Sequence, residues 1–455
     1  MHLLKKFKRT IIFLSKTYID LLLISTMYFI WQTDYTSSTY ERAGNFLLLF
    51  FYCIILYLFF KIYGVREIGK HKLSDTILSY FLALFLTNFF AYIQFCLIAR
   101  KILPFLPIIY LCLRQFFLSS LGSIFIYNLY IKLNPPKKVL AVYSKKSDID
   151  FILLKLLKEK HLQIFDLVDQ KSGTDIIFRK INKCETIFIV GIESKLRSQI
   201  IEYCYKNSIS IYIIPTITDL LIKTGYNTQI SDTPILYCNS KNERTEFFIV
   251  KRLMDIAISI AALIAFAPII FLIAVAIKLD DDGSILFCQD RITIDGERFK
   301  IYKFRTMAEG SDKVSNHSAV ENDSRITRVG AVIRKIRMDE IPQFINILKG
   351  DMSVVGPRPE SIQNVDKYKK EIPNFHLRHK MKAGLTGYAQ IYGKYNTTAQ
   401  DKLMLDLLYI QNASIFLDIK LIFSTIKIIF SSESTEGFDP KIDTDSIENS
   451  VINPE

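Results

Sequence analysis

Asp339 and Glu340 are the residues around which chemistry can be built in this chain. They are vicinal carboxylates just ahead of Pro342, in a run from Arg325 to Pro359 that reads RITRVGAVIRKIRMDEIPQFINILKGDMSVVGPRP. Ile341, Phe344, Ile345 and Leu348 recur at helical spacing as far as Gly350, so the spacing predicts a short amphipathic helix opened by the carboxylates. A helix start has unpaired backbone N–H groups and the positive end of the dipole. It favours ionised carboxylates and attracts phosphate, and with the two carboxylates in place it can also hold a metal. An apolar strand follows, then Gly356-Pro357-Arg358-Pro359, where two prolines fix the backbone beside a guanidinium shaped for phosphate. The chemistry these residue types can do together is phosphoryl transfer.

The scaffold that must position them is 455 residues long, 50% hydrophobic, with a formal net charge of +13. That length implies two or three units. Cys53, Cys96, Cys112, Cys184, Cys204, Cys238 and Cys288 show no CxxC pairing, which argues against a disulfide framework or a zinc site and for reduced thiols. No DNA-binding motif accompanies the basic excess. With this much apolar sequence, an anionic membrane surface and phosphorylated substrates fit better than nucleic acid.

Residues 11–31, 44–62, 76–98 and 104–131 are apolar segments, each near the roughly 20 residues a bilayer-crossing helix needs. They predict a four-span region over residues 1–135, and the first is too long and too lightly terminated for a signal peptide. Lys5, Lys6, Lys8 and Arg9 precede the first span, Lys61, Arg66, Lys70 and Lys72 fill the second loop, and Lys132, Lys137 and Lys138 follow the fourth. This pattern places both ends of the region in the cytoplasm. Gln94, Arg100 and Arg114 stand out as polar groups, and we expect no acidic residue deep within the spans. An ion-driven pathway then has thin support, and anchoring and oligomerisation fit better, with a homo-oligomer left open.

From Val139 short apolar runs alternate with amphipathic segments: VLAVYS, a helix to Lys160, LQIFDLVD, TIFIVGI, a helix through Cys204, SIYIIP and PILYC. This βαβ pattern predicts a parallel, Rossmann-like domain over residues 136–245. The turn after its first strand, SKKSD, lacks the glycines of a dinucleotide fingerprint, so NAD is not expected. The composition shifts again at Lys251. Ile256 to Ile277 is long enough to cross a bilayer, yet Asp255 lies at its entrance and Ala267-Pro268 near its middle. We expect the helix to break at Pro268 and return, as a re-entrant hairpin over residues 251–278, rather than form a fifth span. Ile415 to Phe430 reads as an apolar helix near the membrane surface, and the acidic tail 431–455 as disordered.

A succession of motifs runs through the C-terminal part: Lys251-Arg252-x-x-Asp255, the proline-broken helix, Gln289-Asp290-Arg291, the stretch FKIYKFRTM from Phe299 to Met307, Arg325-Ile326-Thr327, Asp339-Glu340, Leu348 to Ser353, Gly356-Pro357-Arg358-Pro359 and Gly384-Leu385-Thr386-Gly387. In this order they resemble the bacterial sugar transferases, the monotopic polyprenyl-phosphate phosphoglycosyl transferases. The match covers about residues 248 to 430, and the spans and α/β domain ahead of it are similar to the long form of that family, whose members start capsule, exopolysaccharide or O-antigen synthesis.

The resemblance implies transfer of a sugar 1-phosphate from a UDP-sugar to undecaprenyl phosphate at the cytoplasmic face of the bacterial inner membrane, with release of UMP. It matches Asp339 to the nucleophile that carries the phosphosugar covalently, Glu340 to a partner that helps hold Mg²⁺, and Lys303 to an essential lysine. A divalent cation would offset the repulsion when a carboxylate attacks a diphosphate. Lys303 and Arg305 lie two apart on one strand face, where both could meet that diphosphate. Arg325 and Arg358 are further phosphate-binding candidates, and Asp418 matches a late carboxylate placed near the substrate and the metal, with Asp406 a weaker candidate. The fold class is accordingly a membrane protein, α plus α/β: a four-helix transmembrane bundle over 1–135, a Rossmann-like domain over 136–245, and a mixed α/β catalytic domain over 246–430 with the re-entrant hairpin.

Taken singly, these residues have plainer readings. An Asp-Glu pair at a helix start is ordinarily a cap, a strand Lys or Arg is ordinarily solvated or ion-paired, Asp418 would be an exposed helix residue, and Gly356-Pro357 a turn. His376 and His379 form neither a metal pair nor a triad with Cys, and we assign them to the surface. Ala267, Ser284, Asp290, Ala383 and Tyr388 depart from the family's usual residues, which blurs the nucleotide and sugar pocket but spares the proposed nucleophile. A transporter or a non-catalytic scaffold of polysaccharide assembly is the alternative, although neither needs the Asp-Glu pair.

Overall fold

The computed structural model describes residues 7–35, 42–67, 69, 72–156, 161–223, 225–238, 245–280, 283–308, 325–394 and 397–429. The acidic tail at 431–455 lies outside the described residues. Two compact units divide between Pro215 and Thr216.

The first unit opens with four apolar helices: α1 (Lys8–Asp34), α2 (Arg42–Ile62), α3 (Leu73–Ala99) and α4 (Leu106–Leu133). All four are long and apolar enough to cross a bilayer, and the chain is a membrane protein. α1 packs on α4, α4 on α3 and α3 on α2. Phe13, Phe46, Phe85 and Phe125 remain exposed on the outer faces, as suits side chains solvated by lipid.

At the centre, one group from each helix joins a buried polar network. Asn88 Nδ2 donates to Gln115 Oε1 at 2.8 Å, and Gln115 Nε2 donates to the Leu23 carbonyl and to Tyr52 Oη, both at 3.0 Å. Tyr52 OH in turn donates to Asn88 Oδ1 at 3.1 Å. Water is absent at such depth, so these groups satisfy one another. Asn88 and Gln115, not Gln94 or Arg114, are the groups that hold the interior.

The expectation of no acidic residue deep in the spans is overturned. Asp20 is buried in the middle of α1 and ion-pairs with Arg66 from the turn after α2. A cation that reaches the carboxylate from a loop makes the acid tolerable there.

The same unit continues as β1 (Lys137–Tyr143), α5 (Lys146–Leu156), β2 (Leu162–Asp169), α6 (Thr174–Ile181), β3 (Thr186–Val190), α7 (Ser194–Lys206) and β4 (Ser210–Ile213). The strands form a parallel sheet in the order β2-β1-β3-β4. Leu140, Val142, Ile187 and Ile189 pack on Ile177, Ile181, Ile200 and Cys204. Strand order reverses between β1 and β3, the place where sheets of this type hold ligands. There Gln170 ties the strand ends together, donating to Ser144 Oγ at 2.9 Å and accepting from the Glu193 amide at 3.2 Å.

The second unit begins with α8 (Ile217–Lys223) and a hairpin of β5 (Tyr226–Ile230) and β6 (Thr233–Tyr237). The PILYC run was expected to extend the parallel sheet, and the α/β domain was expected to reach 245. Instead β6 pairs antiparallel with β5, because the tight turn at Ser231, with φ 53°, returns the chain onto its sequence neighbour. α8 and the hairpin therefore belong to the second unit.

α9 (Thr245–Asp280) follows, then the antiparallel pair β7 (Leu286–Ile292) and β8 (Arg298–Phe304), α10 (Arg328–Lys335), α11 (Gln343–Lys349), β9 (Met352–Val355) and α12 (Ile362–Glu371). The unit closes with β10 (Ala383–Thr386), parallel to β9, and α13 (Tyr388–Tyr392), α14 (Ala399–Asn412) and α15 (Ile415–Ile429). Ile301, Ile347, Met352, Val355, Leu407 and Leu421 are central to its core.

Pro268 does not end α9, contrary to expectation: the helix runs through it for 36 residues. Proline deletes one backbone hydrogen bond and can bend a helix without stopping it. Buried positions fall at Lys251, Asp255 and Ser259, and again at Ile273 and Ile277, with none between 260 and 272.

Replacing Gln115 with Leu should lower stability by about 1–2 kcal/mol, because Asn88 and Tyr52 lose a partner in an apolar interior. Thermal unfolding in detergent checks this, and Asn88→Leu should cost a similar amount.

Candidate active site

The carboxylates lie where the sequence spacing put them, on the lip of a short helix. Met338–Glu340 form a 3-10 turn, Pro342 is the N-cap of α11, and Gly350 closes the helix at φ 96°. Arg337, just ahead of the turn, has left-handed backbone at φ 56°, an unfavourable conformation for a side chain of that size.

Three other segments converge on this turn. Lys303, on the inner face of β8, places Nζ 2.9 Å from Glu340 Oε1. Arg358, from the Gly356–Pro359 turn, places Nη2 3.3 Å from the same oxygen. Arg334 of α10 acts on Asp339 through its charge, and Arg337 acts likewise on Glu340.

Two adjacent carboxylates in one environment acquire opposite character. Burial alone would raise the Glu340 carboxyl, but Lys303 and Arg358 outweigh it and hold the group down to about 2. Burial, followed by the charge on Glu340, pushes Asp339 above the usual carboxylate range. Asp339 makes no ion pair among the described residues, and Lys303 and Arg334 act on it through their charge alone.

The Arg358 turn is held from behind. Arg378 Nη2 donates to the Arg358 carbonyl at 2.9 Å and pairs with Asp406 at 2.7 Å, with both side chains buried. Gly356 donates to the Thr386 carbonyl, and Gly384 donates to the Pro357 carbonyl, each at 2.9 Å. A Cβ on Gly384 would run into the Gly356 amide, so this crossing of β9 and β10 requires glycine.

The far end of α11 is tied to the membrane helix. Arg252 of α9 donates to the Ile347 and Leu348 carbonyls at 2.5 and 2.8 Å, and Lys382 donates to Gly350 O at 2.7 Å. These cations cap the negative end of the helix whose other end carries the carboxylates. Asp255 accepts from the Val354 amide at 3.0 Å, which fixes α9 against β9.

Asp418, expected beside the phosphates and the metal, is not brought to this cluster. It is fully buried, with Lys251 Nζ 2.5 Å from Oδ2 and Tyr409 Oη 2.8 Å from Oδ1. It locks α15 to the start of α9. Arg305 shares the Lys303 strand face and is buried at 7% exposure. Arg325 is half-buried in the turn ahead of α10, where its carbonyl accepts from the Ala308 amide. His379 was assigned to the surface but is half-buried, and burial next to Arg378 lowers it to about 4, so it is neutral near pH 7. Sequence reasoning gave no role to Arg334, Arg337 or Arg378. Their only signal was the density of basic residues around the carboxylates and the turn.

Among the described residues no three His, Cys, Asp or Glu side chains converge as a metal site. Within the cluster, Asp339 and Glu340 are the described carboxylates that could hold Mg²⁺. That donor set fits an ion held by one or two carboxylates together with substrate phosphates and water.

An apolar cavity of about 240 Å³ opens beside this cluster. Glu340 and Arg337 stand on its wall, and Ile258, Phe344, Leu385, Ile391 and Ile422 supply apolar lining.

The family described as "Bacterial sugar transferase" matches residues 246–432. A 198-residue stretch, 42% of the chain, is 40% identical to the "Exopolysaccharide production protein PSS" of Rhizobium leguminosarum bv. phaseoli and covers 97% of that protein. The chain belongs to the bacterial sugar transferase family. It is also 43% identical over 185 residues, 40% of its length, to the "UDP-N-acetylgalactosamine-undecaprenyl-phosphate N-acetylgalactosaminephosphotransferase" of Aeromonas hydrophila. Over 273 residues, 58% of its length, it is 36% identical to the "UDP-glucose:undecaprenyl-phosphate glucose-1-phosphate transferase" of Klebsiella pneumoniae. It spans about half the length of these two relatives, 44% and 57%. Every residue of the carboxylate cluster lies within the bacterial sugar transferase match.

In this bacterial sugar transferase unit the Asp406 pair has a pH signature. Burial raises Asp406 to about 6 against the pull of Arg378. A carboxyl whose folded value exceeds its unfolded value of roughly 4 favours folding most at low pH, and that contribution is lost as pH rises through about 6. Melting temperatures of the protein and Asp406→Asn, compared between pH 7.5 and 4.5, should therefore diverge with pH. The unsubstituted chain should gain stability on acidification relative to the variant.

Proposed function

We propose that the chain transfers a sugar 1-phosphate from a UDP-sugar to undecaprenyl phosphate, through a phosphosugar carried on Asp339, at the cytoplasmic face of the bacterial inner membrane. The observation that carries this reading is the asymmetry of the carboxylates. Glu340 is engaged by Lys303 and Arg358, whereas Asp339 makes no ion pair among the described residues.

Asp339 attacks the sugar-linked phosphorus, forming a carboxyl–phosphate bond as the bridging P–O bond breaks and UMP leaves with that oxygen. A phosphate oxygen of the lipid then attacks the same phosphorus, releasing Asp339 and the polyprenyl diphosphate sugar. Lys303, Arg358, Arg334 and Arg337 face the charge that develops on the equatorial oxygens, and their charge is in place before the reaction begins. Arg305 and Arg325 are assigned to the diphosphate. Bound Mg²⁺ would screen the anionic nucleophile from the anionic substrate. Arg378 keeps Arg358 in position through its carbonyl. The apolar cavity beside Glu340 suits the first isoprene units of the acceptor.

The same side of the membrane is indicated at both ends of α9. Lys251, Arg252 and Asp255 dock at its start. Near its end, Ile273 and Ile277 pack in one cluster with Phe304, Ile333 and Ile341, and Asp280 accepts from the Val329 amide. A straight helix that crossed roughly 30 Å of hydrocarbon would separate these anchors, whereas one bent about Pro268 and re-entrant would keep both on one unit.

Membranes holding the protein, Mg²⁺, undecaprenyl phosphate and a panel of UDP-sugars should release UMP with at least one sugar. Asp339→Asn should lower that rate by more than about 10³-fold. Silence with every sugar tried would overturn the transfer reading, and an unimpaired Asp339→Asn would overturn the nucleophile. In a cysteine-free background, Glu297→Cys should react with a thiol reagent only from the cytoplasmic side, and labelling from the periplasm would rule out the re-entrant helix.

A further inference from the structure

The first unit holds a cavity for which the transfer reaction has no use. It measures about 580 Å³ and lies where α1 begins, α4 ends and β1 starts. Among the described residues five cations line it: Lys8, Arg9 and Lys16 of α1, Arg66 from the turn after α2, and Lys137 of β1. Neither Asp nor Glu is among its described lining residues.

The cations are arranged rather than scattered. Asp20, buried beneath, pairs with Arg66, and Lys16 Nζ donates to the Arg66 carbonyl at 2.6 Å. Lys8, Arg9 and Lys137 make no ion pair among the described residues. Asp20 offsets one of the five charges, and the other four repel one another unless an anion enters. The rest of the wall is mixed: Thr17, Asn134 and His161 add polar groups, Ile12 and Tyr130 give it apolar surface, and Phe13 lines the cavity while remaining 61% exposed on the outer face of α1.

A basic pocket between spanning helices, at the level where a bundle meets the aqueous interface, suits a lipid headgroup. We propose that this cavity binds the phosphate headgroup of an anionic phospholipid, with an acyl chain laid along Ile12 and Phe13. A soluble phosphate compound would offer the same anion but leave Phe13 without a partner. The inference stands apart from the transfer reaction, because every residue in it belongs to the first unit.

Native mass spectrometry of the detergent-purified full chain, titrated with phosphatidylglycerol or phosphatidylcholine, tests the site. Phosphatidylglycerol should be retained selectively. Lys8→Gln and Lys137→Gln should each weaken it about fivefold, the change expected per basic residue at an anionic surface. Melting temperature reports folding of the variants, and Phe13→Ser should weaken phosphatidylglycerol while leaving the cationic wall intact. Equal retention of the two lipids, or unchanged phosphatidylglycerol binding in Lys8→Gln/Lys137→Gln, would overturn the proposal. Displacement of the lipid by an equimolar amount of glycerol 3-phosphate would also overturn it, in favour of a soluble phosphate ligand.

Discussion

The ion pairs of Glu340 are the constraint on which the second unit depends. Two adjacent carboxylates cannot both be ionised in a largely buried site unless cations are brought to them. Here Lys303 comes from β8 and Arg358 from a proline-flanked turn, both to a single oxygen. That arrangement fixes the strand, the turn and the start of α11 relative to one another. It also leaves Asp339 as the more weakly held of the pair, which is the condition for a carboxylate to act as a nucleophile.

Around this centre each cation or carboxylate is set by another element. Arg378 and Asp406 support the Arg358 turn from within the core. Arg252 caps the far end of α11, and Asp255 and Lys251 fasten the same membrane helix to β9 and α15. The carboxylate turn and α9 are thereby one mechanical piece.

Much of this was legible in the sequence, for identifiable reasons. The Asp339-Glu340 turn, α11 and the Gly350 stop follow from local spacing and end signals, as do the four apolar helices and the β1–β4 alternation. What was not legible depends on contacts between distant residues. Asp418 looked like a site carboxylate, but Lys251, 167 positions away, takes it into the core. PILYC looked like another parallel strand until the turn at Ser231 paired it with its neighbour. Asp20 was overlooked because its partner Arg66 lies 46 positions away, and Pro268 was over-read because a helix can carry a proline without stopping.

The Asn88–Gln115–Tyr52–Leu23 network has a consequence for how the first unit is made. Its four contributions come one from each helix, and the residue that links the other three, Gln115, lies on the last of the four helices to leave the ribosome. Until α4 is inserted, Asn88 and Tyr52 have only each other, and the Leu23 carbonyl has only Thr26 of its own helix as a side-chain donor. Biogenesis of the bundle is therefore completed in a single late step, and a chain interrupted before α4 would carry unsatisfied polar groups in lipid, a feature that membrane quality control could recognise.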